Sequence, residues 1–132
     1  MSVCCGPGYS SPSEAIKAPS EKLLYTIAIY TGTGIQKPDY LCTIDVDPSS
    51  PTYSKVIHRL EMPGIGDELH HMGWNACSSC FEDETMSRSY LLVPGVRSSN
   101  IHIIRIYALY LNLESVITIQ YETIKSKHVA IT

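Results

Sequence analysis

Apolar positions along this chain fall in short runs separated by turn residues, with a period near two wherever a period can be read. Lys22–Tyr30 (KLLYTIAIY) is apolar on both faces and closes on TGTG, which predicts a buried strand. In Asp39–Val46, Tyr40, Cys42, Ile44 and Val46 alternate with Leu41, Thr43 and Asp45, so a second strand is expected, ended by the turn DPSSPT. Ser54–Leu60 (SKVIHRL) then returns, forming a meander that Pro63-Gly64-Ile65-Gly66 should stop. Strands resume at Tyr90–Val93, turn at Pro94-Gly95, and continue through Asn100–Tyr107 and Val116–Tyr121. No helical period competes, and residues 1–20, rich in Pro, Gly and Ser, read as an arm preceding a single β unit over residues 21–132. The fold class expected is all-β, since short strands at regular spacing are the pattern of sandwiches and propeller blades.

Composition agrees: nine Tyr, eight Gly and eight Pro in 132 residues favour strands and tight turns over helices. The net charge of −3 leaves no basic footprint for nucleic acid. The charge is uneven, with eleven acids against five cations in residues 1–84 and two against five in residues 85–132, as expected of two solvated faces. The most apolar region, Ile101–Ile119, is interrupted by Arg105, Asn112 and Glu114, so no transmembrane segment is expected. The opening MSVCCGPGYSS has neither a basic leader nor an apolar stretch before a cleavage site, and the expected location is inside the cell.

Five cysteines, Cys4, Cys5, Cys42, Cys77 and Cys80, are odd in number and unevenly placed, which argues against a secreted disulfide framework. In a reducing compartment such thiols serve metal binding, redox chemistry or a soft ligand such as copper or selenium. The densest chemistry lies in DELHHMGWNACSSCF. His70 and His71 are adjacent, so both reach one metal only if the backbone bends, which Gly73 would assist. Cys77 and Cys80, separated by two residues, can converge on one ion from a turn, and imidazole with thiolate suits copper or zinc. The plainer alternative has the histidines hydrogen-bonded at a rim and the cysteines packed as small apolar groups. A redox dithiol needs a helix N-terminus at its first Cys, and FEDETMSRS lacks an apolar helical face. His58 reads as a strand histidine satisfied by a neighbour, and His102 and His128 carry no partner pattern.

DELHHMGWNACSSCF, preceded by PDYLCTIDVDPSSPTYSKVIHRLEMPG and by CGPGYSSPSEAIKAP, resembles the N-terminal part of the selenium-binding protein family, whose members include copper-dependent methanethiol oxidases. The likeness runs in order from Cys5 to about Ile106 and includes SSNIHIIRI at Ser98–Ile106. It implies a β-propeller-like fold of which this chain holds the first blades, a cytosolic protein that can also be nuclear or peripheral to membranes, and oxidation of methanethiol to formaldehyde, hydrogen sulfide and hydrogen peroxide. Copper is the implied cofactor and selenium the implied bound ligand. By the same resemblance His70 and His71 are copper ligands, Cys77 and Cys80 line that region, and Asp67 and Glu68 orient the imidazoles. The candidate thiols for selenium are Cys4, Cys5, Cys77 and Cys80, with Ser54 standing where the family commonly has a cysteine.

Family members are several times longer and their pattern is expected to fade after about Tyr107, so the chain is expected to be a truncated member with open sheet edges able to pair with another chain. The rival expectation is a non-catalytic module that holds selenium or a soft metal, or docks on a partner's sheet. After the histidine pair only His102 and His128 follow, which favours binding over catalysis for this chain alone.

Overall fold

The computed structural model describes the backbone of residues 7–111 and 114–125 and the side chains of residues 7–106. Among the described residues seven strands form two antiparallel meanders: β1 (Leu23–Ala28), β2 (Pro38–Asp45) and β3 (Val56–Ile65) make a three-stranded sheet in that order. A second sheet runs β4 (Gly73–Trp74), β5 (Tyr90–Pro94), β6 (Asn100–Leu111) and β7 (Glu114–Lys125). Among the described residues the fold is all-β, with a short α-helix, α1 (Pro12–Ala15), in the arm, where no helical period was expected. Ser11 starts it, accepting the Glu14 N–H on its hydroxyl, with Pro12 in the first turn where a missing N–H costs nothing.

Register explains the core. Tyr25 and Ile27 of β1 stand opposite Thr43 and Leu41 of β2, which in turn face His58 and Leu60 of β3. Residues directly opposite one another share a sheet face, and this face is the one turned to the second sheet. Leu41 and Met62 from the first sheet meet Leu91, Val93 and Ile104 from the second around Leu69, all buried. Each such side chain contributes about 1.5–3 kcal/mol on burial. Tyr25 and Trp74 close one end of the seam edge to face, with ring centroids 5.8 Å apart.

Two details depart from expectation. β3 runs on through Pro63 and Gly64 to Ile65 rather than stopping before them, and the chain turns at Gly66, whose φ is +77°. An edge strand tolerates proline because its outer N–H has no ladder partner to lose, and β3 is an edge of its sheet. His58, expected to be satisfied by a neighbour, instead has its Nδ1 buried with no hydrogen-bond partner among the described residues, as has the Thr43 hydroxyl opposite. Both sit on the face that packs the apolar seam, where few polar groups are within reach.

Among the described residues no strand pairs with the outer edges of β3 and β1, and Leu24, Val56, Ile57 and Ile65 on these strands are exposed. No helix of the described residues is long and apolar enough to cross a membrane.

Candidate functional site

The segment between β3 and β4 leaves the first sheet at Gly66, runs past Leu69 and enters the second at Gly73. It is irregular, yet tied at three consecutive residues, Asp67, Glu68 and Leu69. Asp67 accepts the N–H groups of Arg97 and Ser98 at 3.1 and 2.9 Å and the Ser98 hydroxyl at 2.5 Å. The Glu68 carbonyl accepts from the Val96 N–H at 2.8 Å, and Leu69, fully buried, bridges Gly95. From the other sheet Asp39, 1% exposed at the start of β2, receives the Leu69 N–H at 3.1 Å. Its other oxygen takes the N–H groups of Tyr30 and Thr31 at 2.7 and 3.1 Å.

His70 and His71 follow this tied stretch immediately and are exposed. Their rings meet edge to face with centroids 4.3 Å apart, and His70 Nδ1 lies 3.0 Å from His71 Nε2. The bend that brings adjacent side chains together is the irregular backbone itself. Gly73 already belongs to β4, opposite Leu92.

No hydrogen bond joins Asp67 or Glu68 to these imidazoles among the described residues. The Asp67 carboxylate is committed to the turn at Arg97–Ser98, and Glu68 contributes its carbonyl to the same turn. The imidazole that Asp67 does influence is His102, 2% exposed on β6, a residue without any signal in the sequence. Burial lowers the pKa of His102 and the Asp67 charge partly offsets this. For Asp67, burial works upward but is outweighed by the Ser98 hydroxyl and amide, the Arg97 amide and His102, so its carboxyl titrates below the ordinary range. Both line an open cleft of about 420 Å³ between the end of β3 and the start of β6. Gly95 permits this arrangement, since a β-carbon there would stand 2.6 Å from Asp67 Cγ.

Cys77 precedes and Cys80 ends a single turn of 3-10 helix, Ser78–Cys80, after β4. Cys77 is exposed and its sulfur lies 2.8 Å from the Ser79 hydroxyl. That hydroxyl, with the Ser79 amide and the Cys80 thiol, lowers the Cys77 pKa. Beside the turn, Gly8, Tyr9 and Ser10–Pro12 of the arm, with Ser78, Ser79 and Arg88, enclose a cleft of about 490 Å³. Cys42 is a buried thiol whose pKa burial raises, the opposite environment. Cys4 and Cys5 lie outside the described residues. Ser54 is exposed at the turn into β3 with φ +62°, its N–H donating to the Asp45 carbonyl at 2.8 Å.

Two ring nitrogens that each stand about 2 Å from one ion are about 3 Å apart, so the His70–His71 spacing fits two neighbouring positions around a metal. No group of three or more His, Cys, Asp or Glu among the described residues is arranged to hold a metal ion, so Cys77 and Cys80 do not join the pair in a ligand set there.

A family model described as 56 kDa selenium binding protein matches residues 3–130. Selenium-binding protein 1 of Arabidopsis thaliana is 62% identical over 104 residues, covering 76% of this chain and 21% of the relative. Selenium-binding protein 2 of the same plant is 53% identical over 129 residues, 96% of this chain and 26% of the relative. A methanethiol oxidase of Mus musculus is 60% identical over 100 residues, 76% and 21% of the two chains. The crystal structure of a hypothetical selenium-binding protein from Sulfolobus tokodaii superimposes with a TM-score of 0.68 at 53% identity, covering 74% of this chain and 22% of that one. The chain thus spans about a fifth to a quarter of the length of these relatives.

Proposed function

The chain belongs to the 56 kDa selenium-binding protein family, and from that premise we propose that it is part of a cytosolic, propeller-like methanethiol oxidase in which His70 and His71 supply two imidazoles to a copper ion. The observation that carries this reading is the 3.0 Å approach of His70 Nδ1 to His71 Nε2. An N–H···N contact needs one ring to donate and the other to accept. For both nitrogens to ligate, the shared proton moves to a far ring nitrogen, which the exposure of both rings allows. Copper, when bound, supplies one-electron chemistry between thiol and oxygen, so that methanethiol, oxygen and water give formaldehyde, hydrogen sulfide and hydrogen peroxide. The remaining ligands come from outside the described residues.

Selenium is assigned to the thiols rather than to the copper ligands. Among the described cysteines Cys77 is the best suited, because it is exposed and its thiolate is favoured by Ser79. The second reading, a module that binds selenium or a soft metal without turnover, is favoured by the pair's having no third ligand among the described residues.

The test is Cu(I) binding by competition with a coloured chelator, comparing the chain with His70→Ala/His71→Ala. The double variant should bind at least tenfold more weakly. Equal affinity in the two proteins removes these histidines from any copper site. Methanethiol turnover by the copper-loaded chain, measured as hydrogen sulfide and peroxide against free copper, separates the oxidase from the binding module.

A further inference from the structure

We infer that Asp39 is the positioning residue of the histidine pair, holding from the opposite sheet the backbone that presents both imidazoles. This rests on the copper reading only for its consequence, since the positioning itself is a property of the protein. The histidines are exposed, and among the described residues no side-chain hydrogen bond or ring contact other than their mutual one fixes their rings. Their relative placement therefore depends on where the chain is anchored on either side of them, after them at Gly73, paired with Leu92, and before them at Leu69. Arg97, Ser98 and Val96 secure Asp67 and Glu68 to the second sheet. The last amide before His70 is that of Leu69, and it donates to Asp39 of β2, thirty residues away.

The chemistry of Asp39 suits this role. It is 1% exposed, so it is not a surface charge, and it touches neither cleft. One oxygen accepts the Tyr30 and Thr31 amides and the other the Leu69 amide, with the Thr31 hydroxyl 3.4 Å from both. Only a group with two acceptor oxygens can serve amides on both sides. An asparagine would direct its NH2 toward either Leu69 N–H or the Tyr30 and Thr31 N–H groups, donor against donor. The variant Asp39→Asn thus keeps shape and volume while releasing one anchor.

Asp45 provides the matched comparison. It is also a buried carboxylate of β2, accepting the Asp47 N–H at 2.9 Å and the Thr52 hydroxyl at 2.5 Å, but it serves the β2–β3 turn. The experiment measures Cu(I) affinity by chelator competition, ¹⁵N shifts of the His70 and His71 rings, and thermal melting for the chain, Asp39→Asn and Asp45→Asn. Expected is a loss of about tenfold in Cu(I) affinity, the magnitude seen when groups behind metal ligands are altered, and displaced imidazole shifts for Asp39→Asn. Asp45→Asn should melt earlier yet leave both readouts unchanged. Unchanged imidazole shifts in folded Asp39→Asn overturn the inference, as do equal changes in the two variants. Should Asp39→Asn not fold, amide exchange of the unaltered chain decides, because a Leu69 amide that exchanges as freely as its exposed neighbours overturns it. If the His70→Ala/His71→Ala variant binds copper normally, the copper reading fails, while the ring shifts still judge the positioning.

Discussion

Replacing Gly95 with alanine probes the join between the β3–β4 segment and the second sheet. A β-carbon at this position would lie 2.6 Å from Asp67 Cγ and 2.7 Å from Oδ1, with Oδ2 closer still, so something must move. If the carboxylate swings away, three hydrogen bonds to Arg97 and Ser98 are lost. They are partly solvated, and at about 0.5–1 kcal/mol each they sum to about 2 kcal/mol. If the backbone shifts instead, the Leu69–Gly95 bridge is strained at the usual overpacking cost of about 1–3 kcal/mol. Against this, alanine restricts the unfolded chain and returns about 0.4–1 kcal/mol. The net expectation is a loss of about 1–2 kcal/mol. Trp74, the single tryptophan, half-buried against Tyr25 at the seam, reports the unfolding by fluorescence in urea. The decisive comparison repeats Gly95→Ala in an Asp67→Ala background, where the methyl meets no carboxylate and the change should be neutral or slightly stabilising. An identical cost in both backgrounds refutes the steric argument, since the coupling would then be zero.

Two further outcomes follow from titration and thiol chemistry. Because the folded pKa of Asp67 is depressed below its unfolded value near 3.9, its contribution to stability is full above about pH 4 and is lost as pH falls through the folded value. Denaturant midpoints from pH 6 to pH 2 should therefore fall less steeply for Asp67→Asn than for the unaltered chain, and parallel curves would contradict this. Ser79→Ala should slow alkylation of Cys77 by iodoacetamide at neutral pH, because its thiolate loses the hydroxyl that favours it. Mass spectrometry of the labelled peptide checks the rate, and an unchanged rate dismisses the role of Ser79.

Much of the fold was legible because strand faces differ in burial. In β2 buried Leu41, Thr43 and Asp45 alternate with half-buried Tyr40 and Ile44, an alternation interrupted at Cys42, which is also buried, and the period of two survives in sequence. β4 was not legible, because two residues, Gly73 and Trp74, are too few to show a period. The histidine pair was legible because adjacent imidazoles are chemically conspicuous. What holds the pair was not, since Asp39 in the run PDYLC looks like an ordinary strand residue until Leu69 is brought to it. Asp67 was expected beside His70 and His71 on the strength of the family resemblance. The structure turns it to Ser98 and His102, which are near only in space.

The two carboxylate ties have a bearing on how the protein folds. Asp39 to Leu69 and Asp67 to Ser98 each span about thirty residues. Closing a loop of that size costs about 3 kcal/mol of chain entropy by the length term alone, against one hydrogen bond at Asp39 and three at Asp67. Neither can form ahead of the strands that shorten the effective loop, so the backbone before His70 is fixed only once both meanders exist. A synthetic peptide covering DELHHMGWNACSSCF would carry every conspicuous side chain yet sample many arrangements of the two rings. The segment with the richest chemistry is, in this sense, an outcome of the chain's long-range topology rather than of its own sequence.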